Sequence, residues 1–164
     1  MDENTQIELK PINKKKTQSA EIDPFVISKV ILSGIPEQRR FSAQIRYILR
    51  FYIDRYYPYN ENSQENVQIN YFNGKKQLGV NYKCKTFKIE EKYSDQIIEN
   101  GRKRSRNFSE EIRYILDYYF KEHHFIDDKV VRSFTEELKE KDLIKSRARA
   151  ERKRLKKEGE KNGE

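Results

Sequence analysis

Arg39-Arg40-Phe41-Ser42-Ala43-Gln44-Ile45-Arg46-Tyr47-Ile48-Leu49 returns as Arg106-Asn107-Phe108-Ser109-Glu110-Glu111-Ile112-Arg113-Tyr114-Ile115-Leu116, a shift of 67 residues from Ser42 to Ser109. The same shift carries Gly34 onto Gly101, Val30 and Ile31 onto Ile97 and Ile98, and Phe51 and Tyr52 onto Tyr118 and Tyr119. One supersecondary unit is written twice, and its identity decides the fold.

In the first copy, Thr17 to Asp23 alternates with the period of a strand, Ala20 and Ile22 on one face, Ser19 and Glu21 on the other. Pro24 suits the first turn of a helix capped by Asp23. That helix is predicted to bury Phe25, Val30 and Ile31 and to end at Gly34, where a left-handed conformation costs glycine nothing. Pro36 blocks simple continuation. A second helix is predicted from Ser42 as its cap, with Ile45, Ile48, Leu49 and Tyr52 at spacings of three and four. The second copy repeats the plan: a strand over Thr86 to Glu90, a helix from Glu91 to Asn100 over Ile97 and Ile98, closure at Gly101, and a helix opening at Ser109.

The expected organisation is a flexible basic arm over 1–16, a first unit over 17–57, a linker over 58–83, a second unit over 84–126 and a helical basic tail over 127–164. Within the linker, Val67 to Tyr71 and Gln77 to Tyr82 across Asn73-Gly74 read as a hairpin. After His124, Val130, Val131, Phe134 and Leu138 mark a third helical stretch. Lys145, Arg147, Arg149, Arg152, Lys153, Arg154, Lys156 and Lys157 then make the tail too basic to serve as a core helix.

With 35% hydrophobic against 38% charged residues, the 164-residue chain has material only for small packed units. Its net charge of +8 favours a polyanionic partner, because cations gain affinity by releasing counterions from phosphates. No run approaches the roughly 20 apolar residues that span a bilayer, and the amino terminus has no signal-peptide pattern, so no membrane insertion and a cytoplasmic location are expected. The single Cys84 allows no intrachain disulfide.

A strand followed by two helices joined at glycine, with Thr86-Phe87-Lys88-Ile89-Glu90-Glu91, Gly101 and then Arg-x-Phe-Ser-x-x-Ile-Arg, resembles the ribbon-helix-helix (Arc/MetJ-type) family of DNA-binding proteins. The likeness covers 17–57 and 84 to about 124; in the first copy Ala20 stands for the large apolar residue, Glu21 for the basic one, and Pro36 interrupts the turn. The resemblance implies a mainly α fold with a short β-ribbon, in which two units pair their strands. Two copies in one polypeptide point to an intramolecular pseudodimer. The linker of about 26 residues reaches roughly 85 Å, so it permits that arrangement, and pairing between chains is equally open on reach. Tandem copies are also similar in architecture to TraY-like relaxosome accessory proteins.

The family's ribbon implies insertion in the major groove, where each base pair shows a distinct donor and acceptor pattern. By alternation the base-reading side chains are Thr17, Ser19 and Glu21 with Cys84, Thr86 and Lys88. Lys88 suits guanine, Glu21 suits cytosine, and unlike faces favour an asymmetric site. Phosphate contacts are expected from Arg39, Arg40, Ser42, Lys103, Arg104, Arg106 and Ser109, which crowd the starts of the second helices, where free amides and the helix dipole attract anions. Arg46 and Arg113 are assigned no DNA contact, and Tyr47, Tyr52, Tyr114 and Tyr119 are assigned to the core by their spacing.

His123 and His124 diverge on a helix and do not share one metal, and no nucleophile and base arrangement is present. No cofactor, no metal and no enzymatic activity are therefore expected. The expected function is sequence-specific double-stranded DNA binding, as a repressor or as a relaxosome accessory protein on a mobile genetic element such as a conjugative plasmid. Expected partners are duplex DNA, a relaxase or other relaxosome proteins, and further copies of the chain on DNA. A protein-interaction or segregation adaptor is the alternative, with RNA binding a weaker third.

Overall fold

Lys15–Ile22 (β1) and Lys83–Glu90 (β2) pair antiparallel as a two-stranded sheet, and the described residues add five helices, three of which pack against the sheet. The computed structural model describes residues 14–57, 74–123 and 126–161. Alternation places Ala20, Ile22, Phe87 and Ile89 beneath the sheet, all buried. Both strands start earlier than the sequence reading put them. Lys15 and Lys16 belong to β1 rather than to an arm, Lys16 pairing with Glu91 at 2.9 Å and with Asp95 at 2.9 Å, while Asp23 leaves the strand to cap the next helix.

Helix α1 (Pro24–Gly34) begins as its sequence implies, with proline in the first turn and the Asp23 carboxylate accepting from the Phe25 amide at 2.8 Å. Val30 is buried, whereas Phe25 and Ile31 are only half-buried. A short 3-10 turn (Ile35–Glu37) leads to α2 (Phe41–Tyr56); after β2 come α3 (Glu91–Lys103) and α4 (Phe108–Glu122). Helix α3 runs through Gly101 instead of closing there.

The glycines act by smallness. Gly34 has φ −85°, and the left-handed residue is Gln38 at φ 53°; in the second copy it is Ser105 at φ 55°. A Cβ on Gly34 would lie 2.7 Å from the Arg39 carbonyl oxygen, and one on Gly101 2.8 Å from that of Arg106. In each copy the chain folds back so tightly that its backbone touches the glycine, with Arg39 N–H donating to Gly34 O at 2.8 Å and Arg106 N–H to Gly101 O at 2.7 Å.

Helix α2 packs on β2, and α4 packs on β1. Each second helix thus covers the other copy's strand. Ile45, Ile48 and Leu49 meet Ile112, Ile115 and Leu116 in one core, and all six are fully buried. At about 1.5–3 kcal/mol for each large aliphatic side chain removed from water, this shared core is a main source of the fold's stability. Tyr52, Tyr114 and Tyr119 are buried as expected, and Tyr47 is the exception at 39% exposed.

Helix α5 (Asp128–Lys161) continues without a break from the apolar stretch into the basic tail. Its first turns dock on α1 through buried Val131 and Thr135, Thr135 Oγ1 donating to Ser28 Oγ at 2.8 Å, while Val130 is exposed. Of the expected hairpin, Val67 to Tyr71 lies outside the described residues, and Gln77 to Tyr82 forms a turn and extended loop instead of a strand. Among the described residues no helix is long and apolar enough to cross a membrane.

Candidate nucleic-acid interface

The outer face of the sheet carries the six side chains that alternation singled out. Thr17 lies opposite Lys88, Ser19 opposite Thr86, and Glu21 opposite Cys84, all six exposed. Ser19 and Thr86 are equivalent residues of the two copies, and their hydroxyls meet at 3.0 Å. The strand register is symmetric about this pair. Flanking pairs lie two residues to either side, so the patch is roughly 13 Å long and one strand spacing wide. Those dimensions fit a major groove about 12 Å across.

Both ends of the ribbon are clamped from beneath. Arg46 Nη1 donates to the Lys88 carbonyl at 3.2 Å, and its counterpart Arg113 Nη1 donates to the Glu21 carbonyl at 2.8 Å. These two arginines, given no DNA contact from sequence, spend their guanidinium groups on the strand backbone. Arg113 also donates through Nε to the carbonyl of Gly74 and lies over the Tyr82 ring, which ties the loop before β2 to the end of β1. That loop delivers Lys76, whose Nζ reaches Glu21 Oε2 at 2.6 Å. The Lys76 ammonium holds the Glu21 carboxyl below the usual carboxylate range. Lys76 is a ribbon-face residue that sequence reasoning missed. No local pattern marks it, because its place depends on the loop returning to the sheet.

The helix starts differ from expectation in their caps. Helix α2 is preceded by Arg40 with no side-chain cap, and α4 by Asn107, whose side chain accepts from the Glu110 amide at 2.9 Å while Glu110 Oε2 accepts from the Asn107 amide at 2.8 Å. This reciprocal box outcompetes a serine cap. Ser42 and Ser109 are thus second-position residues, not caps. Ser109 Oγ accepts from the Glu21 amide at 3.3 Å, which sets the start of α4 against β1. At the other edge Lys85 Nζ lies 5.8 Å from the Phe41 ring centre, setting the start of α2 beside β2. Two first-turn amide clusters therefore flank the ribbon, a geometry that attracts phosphate oxygens.

The arginines at these turns divide. Arg106 and Arg104 point inward to the fully buried Glu111 carboxylate, at 3.1 and 3.7 Å, and Arg106 also lies over the Tyr114 ring at 3.9 Å. A buried acid recruits them, so the reading of both as phosphate ligands gives way to an internal ion cluster. Arg39 lies 4.2 Å from the Tyr47 ring centre, and its Nη1 donates to Gln44 Oε1 at 3.4 Å. Lys103 pairs with Glu99 at 3.2 Å along an exposed helix face. Arg40 and Lys103 are the exposed cations of the set, beside half-buried Ser42 and Ser109.

Most of the described aromatic side chains of the second helices pack inward. Tyr52 makes edge contacts with Tyr57 and Tyr118, and burial pushes the hydroxyls of Tyr52 and Tyr57 well above the usual phenol range. His123 stacks on Tyr119 at 4.5 Å, and among the described residues no cluster of His, Cys, Asp and Glu has metal-site geometry. The arrangement offers hydrogen-bonding side chains on a rigid two-stranded rib between two anion-attracting helix starts. Comparison with protein-family models, with curated proteins and with solved structures returned no match.

Proposed function

We propose that the chain is a tandem ribbon-helix-helix protein, an intramolecular pseudodimer that binds duplex DNA by laying its β-ribbon in the major groove, without enzymatic activity. The observation that carries this reading is the register. Pairing Ser19 with Thr86 turns Thr17, Ser19, Glu21, Cys84, Thr86 and Lys88 outward together, in pairs related by the two-fold between the copies. The exchange of α2 and α4 across the two strands supports the pseudodimer, since each unit needs the other's strand to cover its core.

The two halves of the rib differ in chemistry. One presents Lys88 with Thr17, and the other presents Glu21 with Cys84 and the adjoining Lys76. A donor-rich half and a mixed half recognise an asymmetric site better than a perfect palindrome. The biological setting is a repressor or a relaxosome accessory protein on a mobile genetic element; a relaxase gene or a toxin gene beside its own distinguishes these.

Selection from a random duplex library in the presence of competitor DNA tests the reading. A defined, protected sequence is the expected result; duplexes bound without preference, RNA preferred over duplex, or no duplex bound at all count against it. Lys88→Ala should relax preference at one base position by about 1–3 kcal/mol, whereas Arg40→Ala should weaken all duplexes alike. Identical effects of the two substitutions would contradict the division between base reading and phosphate anchoring.

A further inference from the structure

The distal half of the last helix concentrates the chain's basic charge. Residues 143–157 carry eight Lys or Arg against the single Glu151, a net +7 out of +8 for the whole protein. From Lys139 to Glu158 every residue is exposed. The helix is nevertheless anchored, because Val131 and Thr135 are buried against α1 and Lys29 pairs with Asp128 at 3.2 Å.

The cations are ordered. Lys145, Arg149, Arg152, Lys153, Lys156 and Lys157 follow the spacing i, i+4, i+7, i+8, i+11 and i+12, which is one stripe of an α-helix. None of these six has an ion-pair partner among the described residues, whereas Arg154, off the stripe, is held by Glu151 at 3.6 Å and Glu158 at 3.7 Å. Large apolar residues on the segment number only three, Leu143, Ile144 and Leu155, too few for a face that embeds in lipid.

We infer that the distal half of α5 is a second polyanion-binding surface, a rigid arm whose six-cation stripe lies along the phosphates of duplex DNA flanking the site held by the ribbon. The stripe is about 18 Å long at 1.5 Å per residue, which matches about five base pairs of duplex at 3.4 Å each. Phosphates spaced along that length offer one counter-charge to each cation, and the anchored stem keeps the spacing fixed. Because the chain has one α5 for two units, the arm extends protection on one flank only. The inference deepens the duplex-binding reading and rests on it for the partner's identity.

The test compares the full-length protein with a variant carrying K145Q, R149Q, R152Q, K153Q, K156Q and K157Q on random-sequence duplex across salt concentrations. Six engaged phosphates predict that the parent loses about a thousandfold more affinity than the variant between 50 and 200 mM salt. Equal salt dependence overturns the arm, as does a stripe that binds phosphatidylserine vesicles while leaving duplex affinity unchanged. A chain truncated after Glu140 serves as a second variant, since the described residues beyond it, through Glu158, are all exposed. Protein alkylated at Cys84 separates the two claims. A retained α5-dependent salt slope without any selected sequence in the parent keeps the arm and rejects the ribbon reading, and a selected sequence with no α5-dependent slope does the reverse.

Discussion

Glu111→Ala is expected to cost about 3–5 kcal/mol of stability, the cost of removing one partner from a buried ion cluster. Glu111 is fully buried and receives Arg106 at 3.1 Å, Arg104 at 3.7 Å and the Tyr57 hydroxyl at 2.7 Å. Without the carboxylate, two guanidinium groups that are largely out of water lose their counter-charge, and the Tyr57 hydroxyl loses its acceptor. For a chain of this size the loss lowers the melting temperature by roughly 6–20 °C. The sequence repeat supplies its own control. The equivalent residue is Gln44, also buried, where Arg39 Nη1 donates to Oε1 at 3.4 Å and Nε2 donates to Ser33 Oγ at 3.1 Å. Gln44→Ala removes a neutral group with two partners and should cost about 1–3 kcal/mol. Chemical denaturation of the two variants checks the order; equal losses, or a stable Glu111→Ala protein, would mean that the ion cluster does not hold the α3–α4 turn.

Thr86→Glu has the opposite signature, a large effect on binding with stability changed by no more than about 0.5 kcal/mol. Thr86 is exposed at the centre of the rib, and its hydroxyl touches only that of Ser19, at 3.0 Å. If the proposed ribbon enters the groove, a carboxylate there would project towards phosphates from the middle of the strand register. Loss of specific recognition down to the nonspecific level corresponds to about a thousandfold or more. Binding to a selected duplex, followed by fluorescence anisotropy alongside a thermal melt, reads both quantities. Unchanged affinity in a folded Thr86→Glu protein would place the DNA elsewhere.

Much of this architecture was legible because the chain repeats itself. The constant shift of 67 aligned the copies, and alternation in Thr17 to Ile22 and Thr86 to Ile89 assigned the outward residues correctly. Strand pairing was implied by the family resemblance, and that the two strands pair within one chain is read from the structure. The helix termini were less legible, since Asn107 and Ser109 both have capping side chains and only the reciprocal bond with Glu110 favours the former. Gly34 suggested a left-handed turn, but the demand at that point is for space, and the chain places the left-handed residue four positions later at Gln38.

The inward turn of Arg104 and Arg106 had a sequence signal that a reading centred on basic residues passes over. Glu111 sits on the inward stripe of partly buried Phe108 and buried Ile112, Ile115, Leu116 and Tyr119, at the spacing of the core face. A carboxylate on such a stripe needs cations, and the nearest are the arginines of the preceding turn. Lys76 gave no comparable sign. Its contact with Glu21 spans the chain from one unit to the loop before the other, and that loop is tied down by the Arg113 bond to Gly74 and by Arg113 over the Tyr82 ring.

Groove insertion of the rib is tested most directly at Cys84, the chain's one cysteine, which is exposed on the ribbon opposite Glu21. The rate of its alkylation by a bulky maleimide is measured with and without a selected duplex, with the reverse experiment of binding after alkylation. Bound duplex should slow the reaction at least tenfold, and prior alkylation should abolish specific binding. An alkylation rate indifferent to saturating duplex, together with full affinity of the alkylated protein, would contradict the placement of DNA on this face.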